Sequence, residues 1–312
     1  MLTLSVLKRL RGDQEQEMRS ASNVSESGSP CPAIGPRGVA VITPYYKESL
    51  AVLERCHRSC LEQEGDWPLR HVMVADGHPR CEVAGWDVDH IPLPQAHADN
   101  GNTPRCLGAI SAINQGYWPI LFLDADNWFQ PWHMNSVMAL RQRHPRADVL
   151  AMGRECALPD GTLIQGVPEE DLGLRHVDTS CYVFYPSAFR VLPLWGMMPT
   201  YLGPICDRFI REAISDYGLV VAGTHQPSVV FTAHYSWAYQ ALGRSVPDDV
   251  HDVDWSRLKA HFDQSEILSR TGLHSSLAIS LPIGADVRTT TTQQGSSISG
   301  PMLPKPYTPR DL

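Results

Sequence analysis

The sequence predicts an α/β protein: a mostly parallel sheet with helices on both faces. Three observations carry that expectation. Short apolar, β-branched runs alternate with amphipathic stretches of helical length between residues 39 and 124, the pattern of strand–helix–strand units. Each run ends in polar, turn-forming residues, and in an open parallel sheet those ends lie along one edge, where ligands bind. The last of these runs, Ile120-Leu121-Phe122-Leu123-Asp124-Ala125-Asp126-Asn127, sets two carboxylates two residues apart. Residues i and i+2 of a strand share a face, so Asp124 and Asp126 leave its end side by side while Ala125 faces the other way.

Val39-Ala40-Val41-Ile42-Thr43 is the first strand, and Pro44 ends it. A helix from about Ser49 to Gln63 carries Leu50, Leu53, Cys60 and Leu61 on one side. His71-Val72-Met73-Val74-Ala75-Asp76-Gly77 is a second strand closing in a turn, and a short third lies near His90-Ile91-Pro92-Leu93. Thr103-Pro104 opens a helix to about Gln115, with Thr103 as N-cap and Pro104 at the first position. The strand bearing Asp124 and Asp126 follows.

The second half is less regular. The pattern predicts a helix over 131–143, a strand over 149–154, and a hairpin in which Thr162-Leu163-Ile164 folds back across the turn Pro159-Asp160-Gly161. Cys181–Tyr185 reads as a strand, Pro204 to about Ser215 as a helix, Val220–Ala222 and Ser228–Phe231 as two short strands, and Trp255–Phe262 as helical. Residues 1–36 and 287–312 are polar and low in apolar periodicity, and are expected to be a loosely packed leader and a flexible tail. Between them lie a folded domain over 37–245 and a helical extension over 246–286.

The chain has 312 residues, 43% hydrophobic and 19% charged, with a formal charge of −8 and a pI near 5.9. That balance argues against a nucleic-acid-binding surface, which needs clustered Lys and Arg. It leaves room for a nucleotide held by one metal ion and one or two arginines. The eight cysteines (Cys31, Cys56, Cys60, Cys81, Cys106, Cys156, Cys181, Cys206) form no Cys-x-x-Cys pair, and the group Cys56, His57, Cys60 lacks the second half of a zinc site. Reduced thiols in a cytoplasm-like compartment are the simplest account. No apolar run reaches the roughly 20 residues that cross a bilayer. Met1–Arg11, with Leu2, Leu4, Val6, Leu7 and Leu10 beside Lys8, Arg9 and Arg11, is either a frayed leader or a weak helix peripheral to a membrane.

Adjacent carboxylates repel unless a positive charge sits between them. A hard divalent cation, Mn²⁺ or Mg²⁺, is the natural guest of such oxygens, and such a cation commonly grips a substrate phosphate. The plain alternative is a pair of solvated side chains in a loop. Two further strand ends, Thr43-Pro44-Tyr45-Tyr46-Lys47-Glu48 and Asp76-Gly77-His78, bring polar groups to the same sheet edge and favour a site.

These motifs resemble the nucleotide-sugar glycosyltransferases of the GT-A (Rossmann-like) fold, especially the large family 2 group. The resemblance covers about residues 38–240. It rests on Val41-Ile42-Thr43-Pro44-Tyr45-Tyr46-Lys47-Glu48, Val74-Ala75-Asp76-Gly77, Leu123-Asp124-Ala125-Asp126 and Cys206-Asp207-Arg208, taken in that order and spacing. It implies a hexosyltransferase that uses a nucleoside-diphosphate sugar donor. Thr43, Pro44, Tyr45 and Glu48 would line the base and ribose pocket, Asp76 would bond the base or ribose, Asp124 would lie near the ribose and metal, and Asp126 would bind the metal. Asp207 would be the general base of an inverting transfer, although Cys206 stands where the family usually has a first acid. His234 would be a third metal ligand or a diphosphate contact.

Each position has a structural alternative. Glu48 suits a helix start, Asp76 an Asp-Gly turn, Asp207 a helix-terminal carboxylate paired with Arg208 or Arg211, and His234 a buried histidine among aromatics. Arg105, in the first turn of the helix opened by Thr103-Pro104, is either a phosphate fork at a helix N-terminus or a solvent-facing side chain. Glu155, Asp178 and the loop Glu169-Glu170-Asp171 are reserve acids. Trp128, Trp132, Trp195 and Trp237 are candidate platforms for an acceptor sugar. The Gln-x-x-Arg-Trp signature of processive synthases is absent from the sequence, so the resemblance implies one sugar per encounter. The acceptor (glycan, lipid or protein) and the oligomeric state stay open. Rival expectations are a nucleotidyltransferase that builds an activated sugar and a non-catalytic nucleotide-sugar-binding module.

Overall fold

The computed structural model describes residues 36–165, 177–250 and 252–273. The leader up to residue 35, the loop Glu169-Glu170-Asp171 and the tail over 287–312 lie outside the described residues.

The described residues form one nine-stranded sheet. β1 (Val39–Tyr45) lies between β2 (Leu69–Ala75) and β4 (Ile120–Phe122), and β3 (Asp89–Pro92) flanks β2, all four parallel. β8 (Tyr182–Phe184) continues the sheet antiparallel to β4. Then come β6 (Val149–Ala157), β9 (Val221–Thr232) and β5 (Trp128–Phe129), with β7 (Leu163–Ile164) folded back onto β6. β1, β2, β3, β4, β6 and β9 therefore run one way and β5, β7 and β8 the other, so the sheet is mostly parallel.

Helices cover both faces because the strand period sorts side chains alternately. Ile42, Val72 and Val74 face α2 (Asn102–Asn114), where Gly108 lets the helix approach: a Cβ there would lie 2.6 Å from Ile42 Cγ2. Thr43 faces the other way, toward α1 (Leu50–Leu61), its hydroxyl 3.7 Å from Cys56 Sγ. Ser49 caps α1. The buried side of α1 is Leu53, Cys56, His57 and Cys60, while Leu61, expected on that side, is exposed.

Pro44 does not end β1, which runs two residues past Thr43 against β2. The β4 ladder stops at Ile42. Ala40 N bonds toward β4 at Pro119 O, and the same parity points the missing Pro44 amide to the side β4 has already left. The cap of α2 also differs from expectation. The helix begins at Asn102 after a left-handed Gly101, and the Asp99 carboxylate accepts from both Thr103 N (2.9 Å) and Thr103 Oγ1 (2.6 Å). Thr103 is thus a donor to the cap, and the anion that the helix N-terminus attracts is already present in the chain.

Beyond β4, α3 (His133–Arg143), α4 (Leu194–Met197), α5 (Cys206–Asp216) and α6 (Ser236–Ala241) complete the domain. The two short strands expected near 220 and 228 are one 12-residue strand, β9, whose register against β6 slips around Gly153. A Cβ at Gly153 would lie 2.5 Å from Gln226 O, so only glycine permits the bulge. Residues 246–273 contribute α7 (Trp255–His261) and α8 (Gln264–Thr271), whose Leu258 and Ile267 join the main core together with Leu273.

Candidate functional site

The ends of β1, β2 and β4 open onto one cleft. Its inner recess, about 370 Å³, is bounded by Pro44, Tyr46, Glu48, Asp76, Gly101 and Asp126 among others. Its outer cavity, about 830 Å³, reaches Asp178, Asp207, Tyr235 and Trp255. Ala98, Asn100, Arg105 and Asp124 border both, so the two are continuous.

Asp124 and Asp126 stand side by side as the strand period predicts. Ala125 between them is buried in the cluster of Tyr45, Leu53 and Met73. The turn that carries them is stitched to its surroundings through the backbone. Asp124 N donates to Ser180 Oγ (3.1 Å), Asn127 bridges Ser180 Oγ and Thr232 N, and Asp126 O accepts from Arg55 Nη2 (2.8 Å) and from Thr232 Oγ1. The two carboxylates have different partners. Asp124 Oδ1 accepts from Arg105 Nη2 at 2.5 Å. The Asp126 carboxylate has no hydrogen bond or ion pair among the described residues. Burial first, then the charges of Asp124 and Glu48, push its pKa up to about 7.

Arg105 is neither a solvent-facing side chain nor a fork left open for phosphate. It is 4% exposed. Nη1 donates to Asn100 O (2.7 Å) and Asn102 Oδ1 (3.2 Å), Nη2 holds Asp124, and the guanidinium lies 5.3 Å from the Trp195 ring centre. Burial opposes its charge, but Asp124 outweighs that and holds the pKa above the ordinary arginine value. The reason is packing: α2 lies against β1, β2 and β4, so its first turn points across the sheet edge rather than into solvent.

The segment between β3 and α2 is shaped for this edge. Ala98 and Asn100 both have positive φ (50° and 57°), a costly conformation for residues with a Cβ. Asp76 holds it there, since Oδ1 accepts from His97 N (2.9 Å) and Oδ2 from Ala98 N (3.0 Å). Gly203 receives the Asn100 side chain: a Cβ on Gly203 would lie 2.2 Å from Asn100 Oδ1.

The other residues singled out in the sequence divide. Pro44 lines the recess, packed against Gly101. Glu48 lines it too, its carboxylate accepting from Tyr46 N at 2.6 Å. Tyr45 reaches the recess at its edge, but its hydroxyl is turned inward onto His90 Nε2 (2.7 Å) and Arg80 N (3.0 Å). Thr43 is not part of the cleft. It is fully buried beneath α1, hydrogen-bonded to His71 Nε2 at 2.8 Å, because its position in the strand alternation faces the helix. His234 is not gathered with Asp124 and Asp126 either. It follows β9 by two residues, and its nitrogens meet Tyr239 OH (2.9 Å) and Asp249 Oδ2 (3.4 Å). Among the described residues no three His, Cys, Asp or Glu side chains gather as a metal site.

Asp207 lies in the first turn of α5 and lines the outer cavity. Asp178 lines it as well, bound to Arg154 Nη1 (3.1 Å) and Ser180 N (2.9 Å). Burial raises the Asp178 pKa to about 6; Arg154 pulls it down, while Asp124 and Asp207 push it up. Cys206 is buried beside Arg105, its thiol pushed up to about 12 by burial. Of the four tryptophans proposed as platforms, Trp195 is fully buried core, Trp128 lies under Arg55 (4.1 Å), Trp132 donates to Pro227 O (3.3 Å), and only Trp237 lines the cavity. Sequence reasoning missed Arg154 and Tyr235 at the cleft; Arg208 stands there beside Asp207 in the motif named above, and Trp255 in the stretch expected to be helical. Asn100 lines it too, and its signal was the turn chemistry of the Asn100-Gly101-Asn102 run.

No protein-family model matches the chain, and no curated protein matches it. Among solved structures it is similar to S. aureus TarS 1–349 in complex with UDP, at 15% identity and a TM-score of 0.49, over 63% of this chain and 60% of that one. The same fragment with UDP-GlcNAc gives 14% identity and a TM-score of 0.48, over 63% and 58%. The mannosyltransferase PcManGT from Pyrobaculum calidifontis, in complex with GDP-Man and Mn²⁺, gives 13% identity and a TM-score of 0.47, over 72% and 65%. The chain thus spans about three fifths of the TarS fragment it matches.

Proposed function

We propose that this chain is a metal-dependent glycosyltransferase of the GT-A type, moving a hexose from a nucleoside-diphosphate sugar to an acceptor hydroxyl, with inversion and one sugar per encounter. The observation that carries the reading is the unpartnered carboxylate of Asp126 beside Asp124 at the sheet edge, where the nucleotide-sized recess opens into a second cavity bearing Asp207.

The donor set fits a hard divalent cation, Mn²⁺ or Mg²⁺. Asp126 and the Asp124 oxygen not held by Arg105 would supply two oxygens. A cation of this kind takes its remaining ligands from substrate phosphates and water, so a third side chain is not required. When bound, it acts as a Lewis acid that neutralises the departing diphosphate. The chain's own groups do the rest. Pro44, Tyr46 and Glu48 wall the recess for the base and ribose. Asp76, whose oxygens hold the His97 and Ala98 amides, positions the seam between the cavities rather than the nucleotide itself. Arg105 fixes the orientation of Asp124. Asp207 takes the acceptor hydroxyl's proton as that oxygen bonds to the anomeric carbon, and the carbon–oxygen bond to the diphosphate breaks with its electron pair on the leaving group.

The test is the melting temperature with UDP or GDP, with and without Mn²⁺. A metal-dependent rise that is lost in Asp126→Ala is the expected result, and no rise with any nucleotide contradicts it. Labelled nucleotide sugars then separate an enzyme from a binding module. Asp207→Asn should keep the metal–nucleotide shift and lose transfer, and a variant that still transfers removes Asp207 as the base.

A further inference from the structure

We infer that the acceptor carries an anionic group, a phosphate or a carboxylate, seated on Arg208 and Arg257 in the outer cavity. The inference rests on the reading above that this cavity takes the acceptor.

Four arginines line the cavity, and they fall into two kinds. Arg105 holds the half-buried carboxylate of Asp124, and Arg154 the buried one of Asp178. Arg208 and Arg257 have no carboxylate partner among the described residues. Arg208 is half-buried, with its guanidinium 5.8 Å from the Trp255 ring centre. A ring contact of this kind supports the charge from one side and leaves the in-plane N–H fork free, the geometry that takes phosphate or carboxylate in pairs of hydrogen bonds.

The acids of the same wall do not occupy these donors. Asp252 Oδ1 accepts from Ser236 N (3.0 Å) and Asp254 Oδ1 from Arg257 N (2.9 Å), so each holds backbone and stiffens the wall. His261, one turn beyond Arg257 in α7, binds the Arg257 carbonyl through Nδ1 (2.8 Å) and also lines the cavity.

Placement narrows the chemistry further. Arg208 directly follows Asp207 in α5, and both line the outer cavity. An anion bound by Arg208 therefore shares the cavity with the hydroxyl that loses its proton to Asp207. The charge belongs on the part of the acceptor that enters this cavity. Trp237, Trp255 and Tyr235 border the space where the sugar ring would rest.

The experiment is a tryptophan-fluorescence titration of the full chain in EDTA, without nucleotide, using glucose 6-phosphate, glucuronate and glucose. Glucose 6-phosphate or glucuronate should bind at least tenfold more tightly than glucose, and which of the two binds identifies the anion. Arg208→Gln and Arg257→Gln should each weaken that binding about tenfold and leave glucose unchanged. Equal binding of all three sugars, binding of none, or charged-sugar binding unchanged in both variants overturns the inference. The Mn²⁺–UDP melting shift measured on the same samples reports on folding of the variants. It also separates the two readings: loss of that shift in the wild type, with charged-sugar binding intact, removes the glycosyltransferase and leaves the anion site.

Discussion

Replacing Asp126 with asparagine should stabilise the metal-free protein and abolish its response to metal. Burial and the charges of Asp124 and Glu48 raise the Asp126 pKa from 3.8 to about 7. Below pH 3.8 the carboxyl is protonated in folded and unfolded chains alike and contributes nothing. As pH rises toward 7 the unfolded chain releases the proton while the folded chain keeps it, so stability falls; above about 7 the full cost is present. Three pKa units correspond to roughly 4 kcal/mol. Asp126 is partly exposed, and solvent screening reduces that to about 2 kcal/mol. In a domain of this size that is about 4–8 °C of melting temperature. Asp126→Asn keeps the side chain's shape and removes the charge. Thermal melts followed by circular dichroism in EDTA should therefore show the variant melting higher at pH 8, with the gap closing by pH 4. Adding Mn²⁺ and UDP should raise the wild type and leave the variant where it was. A variant no more stable than wild type at pH 8, or a gap that does not change with pH, would refute the reasoning.

Three further perturbations test the surroundings of the site. Arg105→Ala strands the half-buried Asp124 carboxylate and the Asn100 carbonyl, and leaving such groups without their donor costs about 1–3 kcal/mol; urea unfolding should show a loss of that size, and a loss under 1 kcal/mol would mean Asp124 simply turns to water. Gly203→Ala drives a Cβ to 2.2 Å from Asn100 Oδ1, so it should cost about 1–3 kcal/mol and weaken the Mn²⁺–UDP melting shift by displacing the seam loop; an unchanged shift would show that the loop does not position the nucleotide. His71 is held at about 3, below its ordinary 6.5, by burial and then by the nearby His57 and Arg70. As pH falls from 6.5 toward 3 the unfolded chain takes a proton that the folded chain refuses, so His71→Gln should flatten the loss of stability between pH 7 and pH 5 in urea midpoints, whatever it does at pH 7.

Much of the fold was legible because strand period and turn chemistry are local. The alternation in Val39–Thr43 and His71–Ala75 placed two parallel strands, and the i, i+2 spacing of Asp124 and Asp126 placed both carboxylates on one side with Ala125 in the core. The cap of α2 is Asp99 rather than the expected Thr103: Asp99, four residues earlier, reaches the same amide, and local pattern does not rank two capping residues that close together. Thr43 looked like a site residue by motif, yet strand parity turns it under α1 onto His71.

The sequence by itself determined the alternation of elements, the edge at which polar groups collect and the two neighbouring carboxylates, because each of these follows from backbone geometry within a few residues. Only the tertiary structure decided that Arg105 clamps Asp124 across 19 positions while Asp126 goes unpaired, that His234 turns to Tyr239 and Asp249, and that residues 252–261 wall the outer cavity. Those contacts join segments far apart in the chain. Their partners are selected by how α2, α5, α7 and the sheet pack against one another, and no local pattern encodes that packing.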